Sequence, residues 1–175
     1  GISLYRASNY AQIYGDGDGM FYDDSVNFVI ENGVLKKYNG WQTFVEIPDT
    51  VTSIGDEAFK NNTSMVSVSI PDSVKSIGDS AFYGCTSLLG VVIPDSVEKT
   101  GRCAFQKCSK LASAYLPVNE KFTYMNAYMF ESCTSLKKIE IPDNVTGIDG
   151  AAFAECKKLS DVVLSKNLKT MGWQV

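Results

Sequence analysis

The sequence predicts an α/β repeat: a right-handed solenoid with a parallel β-sheet on its concave side, short α or 3-10 turns on its convex side and a β-hairpin cap at the N-terminal end. Three observations carry this. Proline recurs at Pro48, Pro71, Pro94, Pro117 and Pro142, with spacings of 23, 23, 23 and 25. Phe59, Phe82, Phe105, Phe130 and Phe153 run in step, and Cys85, Cys108, Cys133 and Cys156 each follow one of them by three residues. Before each proline a short run such as "VVIP" (91–94) or "IEIP" (139–142) alternates inward and outward positions, as a strand does.

The unit reads L-x-x-V-x-I-P-D-x-V-x-x-I-G-x-x-A-F-x-x-C, led by Met65, Leu88, Leu111, Leu136 and Leu159. Twenty-three residues cannot bury a core alone, but stacked units cover each other's apolar faces. The strand comes first. Proline ends it, having no N–H to give to a ladder. Val74 and Ile77 then point inward along a descending stretch. "GDSAFYGC" (78–85) is expected to form one short helical turn with Gly78 and Asp79 near its start. The next strand follows, so successive strands are parallel, about 4.8 Å apart, and joined right-handedly. Ala58, Ala81, Ala104 and Ala152 are small where the turn meets the next coil, and the phenylalanines are expected to stack in a line. One copy is longer: Phe122 and Met125 keep their columns, which places two extra residues between Pro117 and Phe122. The last copy stops at Val175, one residue short of its phenylalanine.

At the N-terminal end Val26, Phe28 and Ile30 alternate, Asn32-Gly33 is a two-residue hairpin turn, and Val34 and Leu35 follow. Laid over the open end of the solenoid, this hairpin would satisfy its first strand and cover its core. The chain thus divides into 1–25 of unassigned fold, a hairpin cap over 26–44, and a solenoid over 45–175 of about five repeats plus a shortened sixth. "SIPDSVKSIGDSAFYGCTSL" (69–88) resembles the repeat of BspA-like leucine-rich repeat proteins, and "FVIENGVLKKYNG" (28–40) is similar to the segment that often precedes the first such repeat. The likeness covers about three-quarters of the chain. It implies a leucine-rich-repeat solenoid belonging to a secreted or cell-surface bacterial protein used in adhesion, and a cysteine column at the position such repeats give to Asn or Cys.

Composition narrows the chemistry. The net charge of −4, with no run of Lys or Arg, argues against nucleic acid or an anionic membrane as partner. No stretch is long enough to span a membrane, so no membrane insertion is expected. The chain starts at Gly1 without a signal peptide, as a processed or tagged chain does. The absence of histidine removes Ser-His-Asp and Cys-His catalysis and histidine metal sites, so no enzyme and no cofactor are expected. The column cysteines are expected as buried free thiols, a bridge between stacked neighbours such as Cys85 and Cys108 being the alternative, and Cys103, off the column, as more exposed. Cys103-x₄-Cys108 is not a zinc motif. "YGDGDGMFYDD" (14–24) fails as an EF-hand, because Met20 and Phe21 stand where a ligand and a glycine belong. An acidic turn is expected there, weak calcium binding by Asp16, Asp18, Asp23 and Asp24 being the alternative.

A solenoid binds through its concave face by default. The outward column there reads Glu46, Ser69, Val92, Tyr115, Glu140, Val163, and the one before it Phe44, Ser67, Gly90, Ser113, Lys138, Asp161. The candidate ligand-binding residues are Ser69, Val92, Tyr115, Lys138 and Glu140, with Tyr115 suited to a sugar ring or an apolar protein anchor. A plain β-surface, where valine and tyrosine are favoured anyway, is the competing account. Tyr124, Tyr128 and Met129, beside the insertion, form a second candidate patch on the convex side, either a locally repacked bulge or a knob for a docking partner. The expected function is adhesion through a protein or glycan ligand; the alternative is a spacer within a larger surface protein. Met171 and Val175 sit in core columns with no coil above them, so either the native chain continues or a second molecule covers this end.

Overall fold

A computed structural model describes residues 24–175. The aromatic segment before it, with Asp16, Asp18 and Asp23 of the acidic turn, lies outside the described residues. After a 3-10 turn over Asp24–Asn27, β1 (Phe28–Glu31) and β2 (Val34–Tyr38) form an antiparallel hairpin around Asn32 and Gly33, both at positive φ. Twelve short strands follow, two per coil. Three-residue strands form the front of each coil: β3 (Phe44–Glu46), then, alternating with the side strands, β5 (Ser67–Ser69), β7 (Gly90–Val92), β9 (Ser113–Tyr115), β11 (Lys138–Glu140) and β13 (Asp161–Val163). Two-residue strands form a side: β4 (Ser53–Ile54), β6 (Ser76–Ile77), β8 (Lys99–Thr100), β10 (Tyr124–Met125), β12 (Gly147–Ile148) and β14 (Thr170–Met171). The pairings among them are parallel, each between equivalent strands of adjacent coils. The result is a parallel β-solenoid of about six turns.

The front ladder runs β3-β5 and then β7-β9-β11-β13; between β5 and β7 the pairing lapses. The side ladder lapses between β8 and β10, where the longer fourth repeat enters. The hairpin joins the side ladder, with β2 parallel to β4 and Leu35 opposite Ile54. It therefore does not satisfy the first front strand, as the sequence suggested. Leu35 fills the column of the side-strand isoleucines, and only that register buries it.

The back of the coil corrects the expectation of α/β architecture. Where helical turns were predicted, the chain makes consecutive tight turns, and the described residues carry no helix there. Five coils hold two residues at positive φ, and the last holds one. One column is Glu57, Ser80, Cys103, Tyr128, Ala151 and Gln174; the other is Asn61, Gly84, Lys107, Ser132 and Glu155. A left-handed residue every few positions breaks an α-helix. The N–H groups a helix would use internally are spent between coils instead. Ser80, Phe82 and Gly84 donate to the carbonyls of Arg102, Ala104 and Gln106 at 2.8 Å each, and the same trio recurs in the neighbouring coils.

The core lies between these three sides. Phe59, Phe82, Phe105, Phe130 and Phe153 stack nearly face to face, with centroids 4.8, 5.0, 5.5 and 5.8 Å apart. Tyr38 and Phe28 carry the row on into the hairpin. Beside it Cys85, Cys108, Cys133 and Cys156 donate their thiols to the carbonyls of Phe59, Phe82, Phe105 and Phe130, at 3.1 to 3.2 Å. All are free cysteines; Cys156 is half-buried, as is Cys103. In the first coil Asn62 takes the thiol's place and donates to the Gly40 carbonyl.

"IPDSV" is explained letter by letter. Ile70 and Ile93 are core, proline ends the strand, and its carbonyl accepts the N–H of Val74 or Val97, themselves buried. Asp95 accepts the N–H of Val118 in the next coil, and Ser73 and Ser96 donate to Val51 and Val74 carbonyls in the coil before, at 2.7 Å each. The serine ties back in both copies, and the aspartate ties forward in the second.

Candidate functional site

The front sheet places the predicted residues unequally. Val92 and Tyr115 are paired across β7 and β9, in one register with Gly90 opposite Ser113. They are 61% and 64% exposed, large apolar side chains held outward because the preceding residues, Val91 and Ala114, point into the core and are buried. Ser69 lies across the lapse in the ladder, on β5. Lys138 faces Asp161, and their charged ends are 3.6 Å apart. Glu140 lies on β11, opposite Val163, and makes no ion pair among the described residues. The five candidates are thus one exposed pair, a serine beyond a break, and two charges toward the far end.

The Val92–Tyr115 pair opens onto the rim where front strand becomes turn. A shallow depression of about 630 Å³ there is lined by Asp72, Val92, Asp95, Ser96, Tyr115 and Leu116. One Asp95 oxygen is fixed at 2.7 Å by the Val118 N–H. Asp72 has no hydrogen-bond or ion-pair partner among the described residues. In the fifth repeat Asp143 plays the part of Asp95. The backbone N–H of Lys166 at 2.9 Å, aided by the lysine's charge at 3.5 Å, holds its carboxyl below the usual range. Val118, just after the fourth proline, and Leu89, just before β7, are also exposed apolar residues, at 66% and 51%. The sequence reading missed both, although the columns contain the signal: Val118 replaces the aspartate of Asp49, Asp72, Asp95 and Asp143.

The second candidate patch is not one surface. Tyr124 is exposed on the side sheet, lying over Gly147. Tyr128 is half-buried at the back, edge-on to Trp173 at 6.3 Å and beneath the Arg102 guanidinium at 5.9 Å. Met129 is fully buried and cannot dock anything. Its bulk, where other coils have alanine, is taken up by Thr100, which replaces the isoleucine of Ile54 and Ile77. The Thr100 hydroxyl donates to the Met129 sulfur at 3.6 Å. A polar residue in an isoleucine column was the clue to that space.

A second depression, about 550 Å³, lies over the side sheet, floored by Gly55, Gly78 and Gly101 and edged by Lys36, Lys99 and Arg102. The glycines have a packing reason. A Cβ on Gly101 would meet the Asp79 backbone nitrogen at 2.4 Å. The buried thiols offer no nucleophile: burial pushes Cys133 well up, and Cys156 up to about 11. Among the described residues no group of three or more Cys, Asp or Glu could hold a metal, and no helix is long and apolar enough to cross a membrane.

The sequence model of the BspA type leucine rich repeat region matches residues 30–160 in six copies. No curated protein matches the chain. Solved structures do. A leucine-rich repeat protein from Eubacterium ventriosum has 22% identity and a TM-score of 0.74, covering 83% of this chain and 48% of its own. The leucine rich repeat protein of T. pallidum has 26% identity and a TM-score of 0.66, covering 79% and 77%. One from Bacteroides ovatus has 31% identity and a TM-score of 0.58, covering 74% and 39%. The chain spans about half the length of the Eubacterium protein.

Proposed function

This chain belongs to the BspA type leucine-rich repeat family, and from that premise we propose that it is a binding and adhesion module exposed outside a bacterial cell. The observation that carries the proposal is the Val92–Tyr115 pair, two large apolar side chains each more than half exposed and in register across adjacent front strands. Isolated exposed apolar residues need no explanation, but an adjacent pair over a depression is the usual form of an anchor site. The ligand is a protein or a glycan that rests on Tyr115, with Ser69, Lys138 and Glu140 at the margin of the contact. A non-enzymatic role is supported by the lack of histidine and by burial, which raises the Cys133 and Cys156 thiols.

The test is a binding screen of extracellular-matrix proteins, mucin and a glycan array against the wild type and Tyr115→Ala. A specific hit lost in the variant, with unchanged circular dichroism, is the expected result. A hit retained by Tyr115→Ala moves the site off this face. The second reading, a spacer without a ligand of its own, is favoured by the extra length of the Eubacterium and Bacteroides relatives. A screen with no hit at all supports it.

A further inference from the structure

The charge around the pair says what kind of partner it takes. On the front strand and rim of the first four coils (43–51, 66–74, 89–97 and 112–122) the one cation is Lys121, and it is paired with Glu98 at 2.8 Å. There are five carboxylates: Glu46, Asp49, Asp72, Asp95 and Glu120, all exposed. Glu46, Asp49 and Asp72 have no ion pair or hydrogen bond among the described residues, and Asp95 is turned into position by a backbone N–H. The lysines of the front sheet lie beyond this stretch, and Lys138 is already paired with Asp161. Asp72 and Asp95 border the same depression as Val92 and Tyr115. Apolar surface beside uncompensated carboxylates is complementary to one kind of side chain: a long aliphatic stem ending in a cation.

We propose that this face binds an extended, arginine- or lysine-bearing segment of a partner protein. The stem lies on Val92, the cation stands over the Tyr115 ring or against the Asp72 and Asp95 carboxylates, and flanking cations meet Asp49 and Glu46 along the rim. Arginine suits the site better than lysine, since its planar head stacks on tyrosine and pairs with carboxylate at once. The inference rests on the anchor-site reading above and adds the sign of the partner's charge.

The probe is an immobilised hexa-arginine peptide, with hexa-glutamate and a neutral Gly-Ser peptide as controls, at about 50 mM and about 300 mM salt. The variants are Asp72→Asn/Asp95→Asn, Tyr115→Ala and Glu57→Gln/Glu155→Gln. The last removes the same charge from the back of the coil. Asp95→Asn keeps a side-chain oxygen to accept the Val118 N–H, so the fold is retained, and circular dichroism checks this. Hexa-arginine is expected to bind the wild type, about tenfold more weakly after Asp72→Asn/Asp95→Asn or Tyr115→Ala, and unchanged after Glu57→Gln/Glu155→Gln. Equal weakening by the two double variants would mean bulk attraction to an acidic protein and overturns the proposal, as does no binding to hexa-arginine. A hit from the protein and glycan screen that needs Tyr115 but ignores Asp72 and Asp95 also overturns it, while leaving the anchor site standing. A hit that ignores all three removes the site itself.

Discussion

Phe105→Ala removes the middle ring of the phenylalanine row. Phe105 is fully buried and touches a ring on each side, at 5.0 and 5.5 Å. Burying about 200 Å² of ring is worth roughly 5 kcal/mol, of which alanine retains a part. Two stacked contacts add about 0.5–1.5 kcal/mol each, and the cavity cannot collapse because both neighbouring coils are pinned by backbone ladders. The expected loss is about 4–5 kcal/mol, a third or more of the stability of a domain this size. Phe153→Ala is the comparison. It is 9% exposed, with one ring contact at 5.8 Å among the described residues, and should lose about 2–3 kcal/mol. Urea unfolding followed by far-ultraviolet circular dichroism measures both. Trp41 lies before the first front strand and Trp173 after the last side strand, so single-tryptophan variants report each end separately. In the wild-type background the two transitions coincide; in Phe105→Ala they separate, because coupling between neighbouring coils is weakest at the cavity. Equal losses for the two substitutions, or a loss below about 2 kcal/mol for Phe105→Ala, would refute the claim that the row couples the coils.

Three further outcomes are expected. Alkylation of the native protein should reach Cys103 first, reach Cys156 only slowly because its thiol is raised to about 11, and spare Cys85, Cys108 and Cys133, read by mass spectrometry of peptides. Because burial raises Cys133 and Cys156 above the ordinary thiol value of 9.0, the folded state keeps protons that the unfolded state gives up. Stability should therefore be flat with respect to these groups below about pH 9 and fall as pH rises above it, seen as alkaline loss of melting temperature that Cys133→Ala reduces. Gly101→Ala puts a methyl against Asp79 backbone and should cost about 1–3 kcal/mol or more, whereas at Gly90 the nearest atom is the Ser113 hydroxyl at 3.0 Å and alanine should be nearly neutral; thermal melts of both decide. Ser80→Gly, at φ 53°, should relieve left-handed strain and raise stability by up to about 1 kcal/mol, and a lower melting temperature would argue against strain there.

The period was legible because every coil repeats the same side-chain columns, and columns are what buried packing writes into a sequence. The back turns were misread because "GDSAFYGC" has the local features of a helix start, while the competitor, a set of N–H bonds to the next coil, is a property of stacking and leaves only weak traces. Asn61 and Gly84, both tolerant of left-handed backbone, were such traces. The side ladder was hidden for a similar reason: two-residue strands such as Ser76–Ile77 are too short to show alternation. For the candidate site, the columns found Val92 and Tyr115 but left Met129 open between a docking knob and a repacked bulge, and its burial fits the second. A column gives the direction of a backbone position, not whether a neighbour such as Thr100 has shrunk to let a larger side chain in. Asp72 and Asp95 went unremarked because the repeat motif itself contains them. Their exposure beside the tyrosine is specific to where the motif falls, not to its letters.

The back ladder has a direction. In every interval its N–H groups point toward the C-terminal coil and its carbonyls toward the hairpin, so the peptide dipoles of successive coils add as they do along a helix. The solenoid is a vector, donor at one end and acceptor at the other. Two molecules joined by a two-fold axis at like ends would bring donors against donors and acceptors against acceptors. Any extension through this ladder must be head-to-tail, so stacking of coils leads to a longer solenoid, never to a closed symmetric pair.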